Sequence, residues 1–214
     1  MATFVLIHGG GGSAWDWHLL VPELAGRGHD VVLPELPIED RSAGFAAFRD
    51  TVVTAIGDRS DLVVVGHSYG AFTAALVADR LPVRLLVLLA PMVPAPGERP
   101  GDWWGNTGHR PVAGLSQEQQ FYNDLPAEVV TEAAAHGRDQ VSAEWDEPWP
   151  LAGWPAVPTK VLIARQDRFF PPDFQRRVAA ERLGVTPDEI DGCHAVALSH
   201  PEQLADRLTA YLLR

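Results

Sequence analysis

Leu62-Val63-Val64-Val65-Gly66-His67-Ser68-Tyr69-Gly70-Ala71 decides how this chain is read. Four apolar residues suit a strand covered on both faces, and Gly-x-Ser-x-Gly follows directly at 66–70. From Tyr69 the sequence reads as a helix through Ala71, Ala74, Ala75 and Leu76 to about Leu81. A serine on so sharp a strand-to-helix turn sits in a strained backbone and projects out of the sheet. Gly66 and Gly70 keep side-chain bulk away where strand and helix nearly touch. The helix N-terminus behind the serine favours developing negative charge. A strand ending by chance in Gly-His-Ser is the plain alternative. It leaves the alanine-rich helix unexplained, and Ser68 is therefore the candidate nucleophile.

The flanking segments extend the pattern in both directions. Phe4-Val5-Leu6-Ile7 is a short apolar run that ends in His8-Gly9-Gly10-Gly11-Gly12-Ser13. A helix is predicted from Trp15 to about Gly28, with Leu19, Leu20 and Leu24 on one face. Val31-Val32-Leu33-Pro34 is a second strand, and Phe45, Phe48, Val52 and Ile56 recur at helical spacing. Leu85-Leu86-Val87-Leu88-Leu89-Ala90 is the fourth strand. Strand and helix alternate throughout, which implies an α/β fold with a parallel sheet and right-handed crossovers.

At Pro91 the alternation stops. Prolines 91, 94, 96 and 100 sit among glycines and charges, and five tryptophans (Trp103, Trp104, Trp145, Trp149, Trp154) fall before the pattern resumes. One helical piece is expected between Gln117 and Ala135. Insertions at this point of an open α/β sheet lie over the carboxyl ends of the strands, where ligands bind. The tryptophans suit either an apolar pocket or a small core of the excursion itself. Val161-Leu162-Ile163-Ala164 resumes the sheet, and a helix follows from Pro171 to about Leu183. A last strand from Val185 to Ile190 and a terminal helix from Pro201 to Leu213 complete the chain. This divides it into core residues 1–93, an insertion at 94–150, and core residues 151–214.

Bulk composition narrows the function classes. With 214 residues, 46% hydrophobic and 21% charged, one globular domain is expected. A net charge of −11 argues against nucleic-acid binding, because nothing neutralises phosphates. No apolar run approaches the roughly 20 residues of a membrane helix. Met1-Ala2-Thr3-Phe4 leads straight into a strand with no basic leader, so a cytoplasmic location is expected. The single cysteine, Cys193, leaves no internal disulfide and no cysteine-built zinc site.

A serine hydroxyl needs a base to take its proton. Of eight histidines, His194 lies in the loop after the last strand and can reach the edge of the sheet where Ser68 projects. His67 is adjacent to the serine but diverges from it across a tight turn, and His200 is expected to pack against or cap the final helix. The base in turn needs a carboxylate to fix its tautomer. Asp167, three residues past Ala164, is at the right edge, whereas Asp191 reads as a turn residue before Gly192. The oxyanion needs backbone donors, assigned to the amides of Tyr69 and Gly10. The chain order is then Ser68, Asp167, His194.

The glycine loop has a rival meaning. Gly9-x-Gly11-x-x-Ala14, with Glu35 as a ribose-binding acid, fits a dinucleotide fingerprint. That reading leaves Gly-His-Ser-Tyr-Gly unexplained. A short-chain reductase would also place a tyrosine four residues before a lysine, and the only lysine, Lys160, has Ala156 there. No cofactor is called for.

Taken together, Phe4 to Trp17, Val64 to Gly70 and Asp191 to Leu204 resemble the α/β-hydrolase family. The similarity is greatest to the branch of plant methylesterases and hydroxynitrile lyases with their bacterial relatives. The resemblance implies a mostly parallel sheet flanked by helices and a short cap after the fourth strand; the family's two N-terminal antiparallel strands are not expected in this sequence, a departure from the family pattern. It also implies a cofactor-free serine esterase, its triad on Ser68, Asp167 and His194, and the expected substrate is a small or medium carboxylic ester. The lyases carry a threonine after the first-loop histidine and a lysine after the catalytic one; here those positions are Gly9 and Ala195. Without the ammonium, cyanide has no electrostatic partner, which favours ester hydrolysis over cyanohydrin cleavage. A sensor that keeps the triad but turns over slowly is the reading from outside enzymology.

Overall fold

A computed structural model describes residues 1–213. Its strands are β1 (Thr3–Ile7), β2 (Asp30–Val32), β3 (Leu62–His67), β4 (Val83–Leu89), β5 (Thr159–Ala164) and β6 (Asp188–Ile190). They form one sheet in the order β2-β1-β3-β4-β5-β6, and every neighbouring pair is parallel. The chain leaves β1 to one side for β2, then crosses to the other side for β3. The carboxyl ends of β1 and β3 therefore flank the point where strand order reverses, the place where open α/β sheets bind ligands.

Helices cover both faces: α1 (Leu20–Gly26), α2 (Phe45–Ile56), α3 (Gly70–Arg80), α7 (Pro172–Leu183), α8 (Val196–Ser199) and α9 (Pro201–Ala210). The period-2 alternation of the strands explains the two cores. Val5, Ile7, Val64, Leu86, Leu88, Val161 and Ile163 pack with Phe45, Phe48, Val52 and Ile56 of α2 and with α3 on one face. Phe4, Leu6, Val63, Val65, Leu85, Val87 and Leu162 pack with Leu20 and Leu24 of α1 and Leu204 and Leu208 of α9 on the other. No helix among the described residues is long and apolar enough to cross a membrane.

Several boundaries differ from expectation, each for a local reason. The predicted helix from Trp15 to Gly28 is a 3-10 turn at Ala14–Trp17 followed by the separate α1. Pro22 has no N–H and its ring would clash with the carbonyl of His18, so the helix starts within the turn before it. Proline acts likewise in the interval between β4 and β5. There Pro126 separates α5 (Gln117–Phe121) from α6 (Ala127–Ala135), and Pro100 opens α4 (Pro100–Thr107), which the sequence had not indicated. The terminal helix ends at Ala210 and gives way to a 3-10 turn at Tyr211–Leu213.

The tryptophans of the interval pack inward. Trp103 and Trp149 are fully buried, and Trp104, Trp145 and Trp154 lie against the same core. Indole N–H groups of Trp103, Trp149 and Trp154 donate to the carbonyls of Val93, Phe72 and Pro94. They anchor the interval to the sheet rather than line a pocket.

Candidate active site

Ser68 follows β3 with φ of 52°, the left-handed region, where an L-residue is held only by its surroundings. Those surroundings are visible. Its N–H donates to Leu89 O (2.9 Å), and its carbonyl accepts from Ala71 (3.2 Å) and Met92 (3.0 Å). The close approach that Gly70 permits is extreme: a Cβ there would sit 2.5 Å from His8 O and 2.8 Å from Ile7 O. The turn that carries the serine is thereby wedged against the end of β1.

His194 comes from the loop after β6 and is 1% exposed. Its Nδ1 lies 2.7 Å from Asp167 Oδ2. An ionised carboxylate only accepts, so Nδ1 carries the proton and Nε2 holds the lone pair. That Nε2 is buried without a protein partner, and His194 and Ser68 line one cavity of about 520 Å³. Asp167 is itself fixed by further donors. The amides of Phe169 and Phe170 reach Oδ1 at 2.8 Å each, and Gln175 Nε2 reaches Oδ2 at 3.2 Å. Asp191 instead pairs with Arg165 at the surface (2.9 Å). The rings of Phe121, Phe169 and Phe170 surround the imidazole at centroid distances of 5.0–5.1 Å.

His67 does more than diverge from the serine. Its Nε2 donates to the carbonyl of His194 (2.9 Å), and the two rings lie 4.8 Å apart. Burial, together with the nearby His194, holds His67 down to about 3, so it remains neutral and braces the loop that carries His194. His200 occupies the N-cap position of α9, with Nδ1 3.0 Å from Ser199 Oγ.

The two residues assigned as oxyanion donors come together. Tyr69 is the N-cap residue of α3, and a Cβ placed on Gly10 would lie 3.5 Å from the Tyr69 Cβ. The glycine loop is held from below by His8, whose Nδ1 donates to Gly9 O (2.9 Å) while Nε2 accepts from Leu36 N (3.1 Å). Glu35, the acid a dinucleotide would need, is engaged by the Ala14 amide (3.2 Å) and by Arg138 (2.5 Å).

The cavity walls combine Trp17, Phe121, Tyr122, Val130 and Leu198 with the carboxyls of Asp16, Glu118 and Asp139. Burial pushes the Asp16 carboxyl up and the Tyr122 phenol to about 12. The sequence reading missed Phe121, Tyr122, Gln175 and the amides around Asp167. An Asp two and three residues before backbone N–H groups in a turn was the available signal for the last. Gln175 and the α5 residues carried none.

The comparisons with known proteins agree with this geometry. The sequence model described as "Alpha/beta hydrolase family" matches residues 4–207. A carbendazim hydrolyzing esterase from a Nocardioides species is 26% identical, the match covering 98% of this chain and 99% of the relative. An alpha-hydroxynitrile lyase from Arabidopsis thaliana is 25% identical over 97% of this chain and 95% of its own. Among solved structures, polyneuridine aldehyde esterase superposes with a TM-score of 0.83 at 19% identity, covering 99% of both chains. With strand order, serine turn and family match in agreement, the chain belongs to the alpha/beta hydrolase family.

Proposed function

We propose that the protein is a serine hydrolase of small or medium carboxylic esters, with Ser68, His194 and Asp167 as its triad. The observation that carries this reading is the 2.7 Å His194–Asp167 hydrogen bond, with Nε2 left unpartnered and both His194 and Ser68 lining one cavity. Ser68 Oγ attacks the acyl carbon and its proton passes to His194 Nε2. The carbonyl oxygen becomes the oxyanion, held by the amides of Gly10 and Tyr69. As the tetrahedral intermediate collapses, His194 gives the proton to the departing alcohol. Water then attacks the acyl-enzyme through the same base, and Ser68 is regenerated.

Esterase-named relatives and a cavity within the roughly 300–1,000 Å³ range of small-molecule sites support the substrate class. The interval at 94–150 acts in this proposal as a short cap, since Phe121, Tyr122 and Val130 form part of the cavity wall. Ala195, where the lyases carry lysine, also lines the cavity, which favours hydrolysis over cyanohydrin cleavage.

Hydrolysis of p-nitrophenyl and naphthyl acetate by the wild type and Ser68→Ala tests the reading. Activity is expected to fall by about 10³-fold or more in the variant with its melting temperature preserved. Cyanohydrin cleavage without ester turnover would replace hydrolysis with lyase chemistry on the same residues. Tight ester binding with negligible turnover would instead support the sensor.

A further inference from the structure

The donors assigned to the oxyanion belong to different segments, Gly10 to the loop after β1 and Tyr69 to the turn after β3. Each must lie within about 0.3 Å of its working distance from one oxygen, so something has to fix their separation. A hydrogen-bonded chain of side chains, buried at Tyr69 and Glu144 and half-buried at Gln140, spans the two. The Tyr69 hydroxyl donates to Glu144 Oε1 at 2.9 Å. Gln140 Nε2 donates to the same oxygen at 2.7 Å, and Gln140 Oε1 accepts the N–H of Gly11 at 3.3 Å. A carboxylate accepts only, so it fixes which end of the Gln140 amide faces Gly11. The donors from Gly11 and from Tyr69 thus converge on Glu144, and Gln140 Nε2 also donates to Ser142 Oγ at 3.0 Å.

The chain is built into the interval between β4 and β5. Arg138 N donates to Gly11 O (2.8 Å), Val141 N to Ile38 O (2.9 Å) and Glu144 N to Ala43 O (3.2 Å). Residues 138–144 thus tie the first loop, at Gly11, to the segment that follows β2, at Ile38 and Ala43. Glu144 is 0% exposed and Tyr69 3%. Burial pushes the Glu144 carboxyl up, and its Oε2 has no partner. Removing the carboxylate alone would strand the Tyr69 hydroxyl and a Gln140 N–H, so the three side chains are interdependent.

Resting on the proposed esterase reading, we infer that Glu144 and Gln140 are positioning residues: the Tyr69–Glu144–Gln140–Gly11 chain sets the spacing of the two oxyanion donors. Neither residue touches the reacting atoms. Their effect belongs to the state in which negative charge has developed on oxygen.

A matched pair of ketones isolates that state. Trifluoroacetophenone accepts Ser68 Oγ at its carbonyl carbon, the serine proton passes to His194 Nε2, and the carbonyl oxygen becomes an oxyanion. Acetophenone, of the same skeleton, binds without adding the serine. Affinity for each is read as protection of Ser68 against a fluorophosphonate, which needs no turnover. In Tyr69→Phe and Gln140→Met, trifluoroacetophenone is expected to bind about tenfold more weakly, while acetophenone changes by less than about twofold. The double variant is expected to lose less than the product of the two. Glu144→Gln keeps an acceptor oxygen for both donors and is expected to stay within about threefold of wild type. Equal weakening of both ketones would mean a merely structural role, and unchanged trifluoroacetophenone affinity would overturn the inference. A wild type that does not label at Ser68 brings down the esterase reading and this inference together. A wild type that labels while its variants bind normally brings down the inference alone.

Discussion

Among single residues, two kinds of constraint shape the serine turn: a strained serine and the glycines that let it be so. Gly70 is the sharper case. A methyl group there would meet two backbone oxygens of the β1 end, and backbone has no rotamer by which to give way. Gly70→Ala is expected to destabilise by about 2–3 kcal/mol, the cost of forcing bulk into a packed region. Gly105, within α4, provides the contrast, because a Cβ there meets nothing within 4 Å. Gly105→Ala is expected to stabilise by about 0.5–1 kcal/mol through helix propensity. Urea unfolding of both variants measures the two signs. A neutral Gly70→Ala would mean that strand and helix do not approach as closely as described.

At the scale of elements, the ends of β3, β5 and β6 bring the three candidate catalytic side chains to one edge of the sheet. His67, the last residue of β3, ties that strand to the loop that carries His194. Its protonation is coupled to folding. In the unfolded chain it titrates near the ordinary value of 6.5; in the fold it stays neutral until about pH 3. Between those values the unfolded state binds more protons, so stability rises with pH there and is lost as pH falls from about 6.5 toward 3. His67→Gln retains an N–H donor for the His194 carbonyl and removes the titration. Its melting temperature between pH 7 and pH 4.5 is expected to fall less steeply than that of the wild type. Identical slopes would show that His67 is not held neutral.

The same scale shows what the sequence made legible. The strands were readable because continuous apolar runs such as Val63-Val64-Val65 have one meaning in a sheet covered on both faces. The serine, the glycine loop and the loop histidine were readable because each sits at a strand end, where chain order alone brings them together. Asp167 was separable from Asp191 by the same logic. The interval at 94–150 was not readable in this way. Its helices are short and proline-punctuated, and Gln140 and Glu144 gain their meaning only from the long-range contacts with Gly11 and Tyr69. No periodicity announces a polar side chain whose partner lies 75 residues away.

At the scale of the molecule, a second buried tie holds the interval to the main body. Arg182 of α7 pairs with Glu98 through both guanidinium nitrogens and also donates to Val93 O at 2.6 Å. Asn106 Nδ2 and the Ala95 amide complete the carboxylate, at 2.8 and 3.0 Å. Side-chain exposure is 3% for Glu98 and 13% for Arg182, which makes this a pair taken largely out of water. Removing one partner strands the other charge. Glu98→Leu is expected to destabilise by about 3 kcal/mol, and adding Arg182→Leu to recover part of the loss. Equal losses in the single and double variants, measured by urea unfolding, would show that packing rather than the charge pair holds the interval in place.

In the proposed mechanism Ser68 is a nucleophile activated by His194, with Asp167 behind it. The most direct measurement is the rate at which a fluorophosphonate modifies the protein, with the modified residue located by mass spectrometry. Wild type is expected to be labelled at Ser68 and Ser68→Ala not at all. In His194→Ala and Asp167→Asn the rate is expected to fall by about 10³-fold or more. A wild type that takes no label, or one whose labelling rate ignores the loss of His194, would contradict the account.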